Sequence, residues 1–370
     1  LALFLPGSLQ ALWAKDFASR NPPKIYQREI APLLTSLDAI LDDAPPAGND
    51  AEGVTCLLNE QIHYVTQTGR RFYAHHEILR ANTKQAARLM SESFAPYMKG
   101  SQRIWLPLAQ TIQADGTVLP VRENAAFLAA SDGPSRYYSL YEDHANLTVI
   151  FPNVGEGAIT QRLILIETTA PQVPDEFLTT LTWQSHLDQQ RARIVVSLPK
   201  PLAERVAMTP VGPMPAPSVS TLKQGRRQWT WSARNPVRLE HEAGQPPVTT
   251  TGPAVFASTW ESWNDVAIWY SGLLKPRGKL GGKLTTALAT WCDDEADRSS
   301  IIRELLKKAA REVRYTGLEF GSARLQPYDC NEVWENRYGD CKDKANFLRA
   351  LLAAKGIASH LALVNTGWTG

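Results

Sequence analysis

One thiol in this chain stands where a thiol becomes a nucleophile. Cys341 lies in the run Arg337-Tyr338-Gly339-Asp340-Cys341-Lys342-Asp343-Lys344, between a turn and a helix and among charges. Gly339 permits a sharp approach of the chain, and Asp340 is a good N-cap. The first turn of a helix offers unsatisfied N–H groups and the positive end of the macrodipole, both of which favour an anion. A thiol held there can titrate well below ~8.5. The competing explanation is packing, because free cysteines are often buried and behave as inert small hydrophobes. Here a glycine turn, an acidic cap and a helix start coincide, with Lys342 and Lys344 nearby.

The elements around Cys341 read directly from spacing. Ala345, Phe347, Leu348, Leu351 and Leu352 recur at helical intervals, which predicts an amphipathic helix behind the thiol. Gly356 ends it as a C′ residue, and Ile357 to Val364 then reads as a buried strand. Upstream, Glu332 to Arg337 reads as a short helix delivering the chain to the turn.

Pro327 to Val364 resembles the nucleophile segment of the transglutaminase-like cysteine-enzyme superfamily. Its bacterial members often carry Gly-Asp-Cys-Lys-Asp-Lys, as at residues 339–344, then a leucine-rich helix and Gly-Ile, as at Gly356-Ile357. The resemblance implies that Cys341 is the catalytic nucleophile and that a histidine and an aspartate on neighbouring strands complete the triad. It implies acyl transfer: the thiolate attacks a carboxamide or peptide carbonyl, N–H donors including that of Cys341 hold the oxyanion, and a thioester forms. Water as acceptor makes a peptidase or amidase, and an amine makes a crosslinker; hydrolysis is the expected branch, by analogy. Only 29 residues follow Cys341, and His360 is the one histidine among them. A helix over 341–355 spans ~21 Å and carries the chain away from the sulfur. His360 is therefore read as a strand residue, with the histidine and aspartate partners of Cys341 expected beyond Gly370.

The rest of the chain divides by composition. Leu1 to Ala14 is an apolar run ending near small residues, so residues 1–20 read as the remnant of a secretory signal peptide. Gln27 to Leu41 reads as a short helix, and Asp42 to Glu52 as a linker. From there to residue 241 short β-type runs alternate with turn residues, and Asp115-Gly116 marks a hairpin. This predicts an N-terminal antiparallel β-sandwich domain over 50–241. It resembles the β domain of unknown function that often precedes the transglutaminase-like core in exported bacterial proteins. The features carrying that likeness are Gln113 to Val118, Phe151 to Gly157 and Trp260-Glu261-Ser262-Trp263. Tyr137, Tyr138, Tyr141, Trp183, Trp229 and Trp231 read as core and cross-strand aromatics rather than a ligand platform. Residues 242–257 read as a linker and 258–370 as an α+β domain, incomplete, which resembles the papain-like arrangement in which the nucleophile helix packs on a sheet. Its longest helix opens at Asp297, with Ile301, Ile302, Leu305, Leu306, Ala309 and Val313 on one face.

Composition narrows the function classes. The chain has 370 residues, 44% hydrophobic and 21% charged, with a net charge of +2. No basic stripe supports a nucleic-acid partner, and the arginines at 191–193 and 226–227 read as solvated charges. Cys56, Cys292, Cys330 and Cys341 are too scattered for a disulfide framework, and no histidine lies between Cys330 and Cys341 to form a zinc set, although a disulfide between those two is conceivable. His75-His76 would face opposite sides of a strand. No metal or cofactor is expected, and no membrane span in the mature chain. The sequence thus predicts an exported protein, periplasmic or secreted, with a peptide or protein substrate. The rival reading is a non-catalytic envelope binding or assembly module in which Cys341 is a relic.

Overall fold

The computed structural model describes residues 21–44, 53–130, 140–142, 144–240, 242, 244–246, 252–292, 297–319 and 324–364. The leader expected over 1–20 lies outside them, as do Tyr137, Tyr138, most of the first expected linker and part of the second. The protein is β-rich, with several sheets and a set of helices, and divides into two compact units. Described residues up to 130 and from 144 to 259 form the first; 140–142 and 260–364 form the second.

Alternation of apolar and polar residues builds the strands of the first unit. In chain order they are β1 (Val54–Val65), β2 (Arg71–Ala81), β3 (Glu92–Met98), β4 (Gln102–Ile112), β5 (Val118–Pro120) and β6 (Ala126–Ala130). After β7 (Leu140–Glu142), which belongs to the second unit, come β8 (His144–Ile150), β9 (Ile159–Thr168), β10 (Leu178–Thr182), β11 (Asp188–Gln189) and β12 (Arg191–Leu198). β13 (Ala207–Val211), β14 (Ser218–Thr221), β15 (Arg227–Arg234) and β16 (Ala254–Ser258) complete the unit. The main sheet runs β14-β15-β12-β1-β2-β9-β4-β5, with β11 alongside β1. Two three-stranded sheets, β10-β16-β13 and β3-β8-β6, complete the β structure of this unit.

Period two decides what each face of the main sheet meets. Ile62, Tyr64, Phe72, Ala74, Leu163, Leu165 and Val195 share one face, packed under Tyr26 and Ile30. On the other, Ile194 and Val196 pack with Trp229, Trp231, Leu181 and Val255 against the β10-β16-β13 sheet. Ile104, Ile164 and Ile166 pack with Tyr97, Leu147 and Val149 against the β3-β8-β6 sheet. One long sheet thus backs two short ones. Trp183, Trp229 and Trp231 are core residues.

Four expectations are corrected in this unit. The sheet is mixed rather than wholly antiparallel, because β1 pairs in parallel with both β11 and β12. Ala254–Ser258, of which residues 254–257 were placed in the linker from sequence, is the central strand of its sheet, with Ala254, Val255 and Ala257 buried. The helix expected over Gln27–Leu41 is broken into short turns at Tyr26–Ile30 and Ala31–Leu33 and a helix α1 at Leu37–Leu41; Leu34 is extended and Ser36 starts α1 as its cap. Arg226 is buried, donating to the carbonyls of Ser197 and Val65 with its guanidinium 4.4 Å from the Tyr64 ring. The segment before β1 is locked down by Glu60, whose buried carboxylate accepts from Arg193 at 2.6 Å and from the Thr35 amide at 3.1 Å. Burial opposes that charge; bonds from His76, Thr35 and Arg193 outweigh it and hold the carboxyl below the usual range. Short helices α2 (Lys84–Met90) and α3 (Lys200–Ala203) interrupt the strands.

The second unit is mainly helical: α4 (Trp263–Leu274), α5 (Gly282–Trp291), α6 (Arg298–Glu312), α7 (Cys330–Asn336) and α8 (Cys341–Ala354). A capping box at Ser262 and Asp265 starts α4. In α6 the buried face is Ile301, Leu305 and Ala309, while Ile302 and Leu306 turn outward. Phe347, Ala350 and Leu351 of α8 pack with these residues, Val313, Val333 and Leu284. The strands are short parallel pairs: β17 (Arg314–Tyr315) with β19 (Tyr338–Gly339), and β18 (Gly317–Glu319) with β7. Two papain-like expectations therefore change. Among the described residues α8 packs on α6 and α7 rather than on a broad sheet, and after the buried Ile357 the segment to Val364 forms no strand. Leu363 and Val364 are exposed, and among the described residues no strand pairs with that backbone.

Candidate active site

Cys341 is the first residue of α8 and is exposed. Asp340 caps the helix: its Oδ1 accepts from the amides of Lys342 at 3.0 Å and Asp343 at 3.2 Å. Asp343 returns the bond, its Oδ2 accepting from the Asp340 amide at 2.9 Å, which closes a capping box around the thiol. Its Oδ1 accepts from the Tyr328 amide at 2.8 Å, tying the loop before α7 to the same carboxylate. Both aspartates are buried while the cysteine between them is open.

The approach to the cap is equally fixed. Arg337 takes a left-handed conformation at φ 60° to end α7, with its guanidinium 3.3 Å from the Trp334 ring centre. Tyr338 and Gly339 then run beside β17, where the Thr316 amide donates to the Gly339 carbonyl at 3.1 Å. A Cβ on Gly339 would lie 2.7 Å from Asp343 Cβ, so only glycine lets Asp343 close the box.

Burial, the largest influence, and the negative charge of Asp340 raise the Asp343 carboxyl above its usual range, against the opposing pull of the Asp340 and Tyr328 amides and of Lys342. The two lysines near the thiol have other partners: Lys342 Nζ pairs with Asp340, and Lys344 Nζ donates to the Val313 and Ala310 carbonyls at the end of α6. Tyr270 of α4 is buried, and burial followed by the charges of Cys341, Asp340 and Asp343 raises its hydroxyl above the phenol range. Tyr270 also lines a groove of about 570 Å³ with Trp263, Val266, Arg349, His360 and Leu361. His360 is thus an exposed groove residue rather than a strand residue.

The other cysteines differ in setting. Cys330 is buried, its Sγ 3.5 Å from the Lys279 carbonyl, and burial then Asp329 push its thiol up to about 11. Burial likewise raises Cys56. All four are free thiols, so Cys330 and Cys341 are not bridged. His75 and His76 face opposite sides of β2, bonding to Asn59 and Glu60 respectively. The Asp340 cap was readable from spacing; the returning bond from Asp343 was missed, and the tie to Tyr328 and the approach of Tyr270 join residues remote in sequence and left no such signal.

A β-rich unit followed by a helical one that presents a capped, exposed cysteine is the class of protein this arrangement defines. Residues 67–239 match the family described as a domain of unknown function with a solved structure, DUF3857. Over 84% of its length the chain is similar in fold to a protein from Parabacteroides distasonis described as a putative protease, at a TM-score of 0.68 and 19% identity. It spans 60% of that protein's length. A nutrient binding protein of Legionella pneumophila, itself described as putative, aligns at a TM-score of 0.30 and 12% identity, over 82% of this chain and 94% of that one. An M1 zinc metallopeptidase of Deinococcus radiodurans aligns at 0.29 and 11%, over 55% and 42%. No curated protein matches the chain.

Proposed function

We propose that the chain carries the nucleophile of a transglutaminase-like cysteine enzyme that cleaves peptide or carboxamide bonds through a thioester. The carrying observation is the exposed Cys341 inside a reciprocal Asp340–Asp343 capping box, a buried scaffold around an open thiol. The fold shared with a protein described as a putative protease agrees with a peptide substrate. In this reading the Cys341 thiolate attacks the carbonyl carbon, the oxyanion is held by N–H donors that include the amide of Cys341, and the amine leaves with a proton from a histidine. Water then resolves the thioester and regenerates the thiol. The histidine and its aspartate are proposed to come from chain beyond Gly370, and the protein to act outside the cytoplasm.

The test uses the protein extended to its natural terminus, assayed for ammonia release from glutamine peptides and for peptide hydrolysis. Cys341→Ala abolishes turnover and His360→Ala leaves it near the parent rate. Equal damage from both substitutions moves the base to His360. Unchanged turnover in Cys341→Ala removes the cysteine mechanism.

A further inference from the structure

The first unit holds a furrow that neither core fills. β1 and β2 turn Asn59, Gln61 and His63, and Tyr73, His75 and Glu77, to the face that carries the two short sheets. The flanking residues of that face, Ile194 and Val196 on β12 and Ile164 and Ile166 on β9, are buried. The six residues between them are only half-buried. His63, Tyr73 and His75 make a ladder of rings with centres 5.0 and 6.2 Å apart. His63 Nε2 is buried with no hydrogen-bond partner.

Two strand edges bound this strip. β10 is the outer strand of its sheet and is tied to β1, the Thr182 carbonyl accepting from Gln61 at 2.9 Å. β3 is the outer strand of the other and is tied to β9, the Phe94 carbonyl accepting from Arg162 at 3.0 Å. Since β2 lies between β1 and β9, the strands carrying Gln61 and Arg162 are two spacings apart laterally, about 9.6 Å, with the two anchors offset by two residues along the strands. That is the space one further strand occupies between two neighbours. Thr180 and Phe94 direct their amides to the same side as those carbonyls, by the alternation of antiparallel pairing.

At the Glu77 end the furrow deepens into a cavity of about 230 Å³ between Leu187 on one side and Glu92 and Ser93 on the other. Arg162 on its floor is committed to Glu77 at 2.9 Å, to Ser93 and to Phe94, which leaves the Glu92 carboxylate to be matched. Leu89, Met90 and Leu187 line it with aliphatic surface suited to the stem of a long cationic side chain.

We propose that this furrow is a strand-addition site: an extended peptide lies over β2, pairs with the free edges of β10 and β3, and places a basic side chain beside Glu92. The occupant joins the two short sheets into one seven-stranded layer.

A fluorescent peptide of alternating Thr and Val with one central Lys, titrated into the full chain and followed by anisotropy, tests this. Binding slows hydrogen exchange at the Thr180 and Phe94 amides. N-methylation of alternate peptide amides, which removes strand pairing, weakens binding at least ~10-fold, as does Thr180→Pro. Glu92→Lys, an exposed change that leaves the core intact, weakens the Lys peptide by about 10-fold and reverses the preference over its Glu counterpart. Equal binding of the N-methylated peptide overturns strand addition. Absence of binding by every peptide up to about 1 mM overturns the site.

Discussion

At the scale of single residues, what separates Cys341 from the other thiols is access. Burial raises Cys56 and Cys330 out of the range in which a thiolate is populated near neutral pH, while Cys341 is exposed in the first turn of a capped helix. Iodoacetamide at about pH 7, read by mass spectrometry, is expected to label Cys341 first. Faster labelling of Cys56, Cys292 or Cys330 removes the activated-thiol argument. The motif was legible because the cap, the turn glycine and the helix start are local in sequence. The roles of Lys342 and Lys344 were not: both look like neighbours of the thiol in sequence, yet one pairs with Asp340 and the other closes the end of α6. His63 carries a second residue-scale prediction. Burial pulls its imidazole down to about 4, against about 6.5 in an unfolded chain. Below 6.5 the unfolded state binds the proton first, so stability is full above that pH and falls as pH drops toward 4. The loss is on the order of 2–3 kcal/mol, since His63 keeps some contact with water. Thermal melts from about pH 7 to about pH 4.5 are expected to fall less steeply for His63→Phe; parallel curves dismiss the histidine as their source.

At the scale of elements, the capping box of α8 converts a sequence pattern into a rigid loop. Gly339→Ala sets a methyl group against Asp343, and the box must open to admit it. A loss of about 1–3 kcal/mol is expected in urea unfolding, with altered labelling of Cys341. Asp343→Asn keeps one oxygen where two amides, of Asp340 and Tyr328, need an acceptor, for a loss of about 1–3 kcal/mol. Full stability in both variants shows that the loop is held by other contacts. Helices with caps or strong apolar faces, such as α6 and α8, were legible. So were the strands with clean alternation. The strand expected at Ile357–Val364 failed because an apolar run specifies burial, whereas a strand also needs a partner for its backbone. β16 was missed because the Pro and Gly residues before it looked like a linker, and its pairing partners β10 and β13 lie tens of residues upstream.

At the scale of the whole molecule, the β-rich character of the first unit was legible in its short alternating runs. The order of its strands was not, because alternation says which face is buried and nothing about which neighbour a strand takes. The excursion that lends β7 to the helical unit likewise left no sequence signal.

The parallel pairing of β1 with β12 has a consequence for how the protein is made. Glu60 meets Arg193 across 133 positions of chain. A ribosome synthesises all the intervening strands before the middle of the main sheet can close. Until then the outer edge of β1 stays open, with a buried acid still lacking its arginine. Such long-range closure is slow and concentrates the risk of misassembly in the interval. Chains released by a stop codon placed before residue 191 are expected to be captured by chaperones or proteases, whereas a stop after Arg234 releases a main sheet with all its strands. Pulse-chase protease resistance of the two lengths distinguishes this order of events from one in which the hairpin is stable by itself.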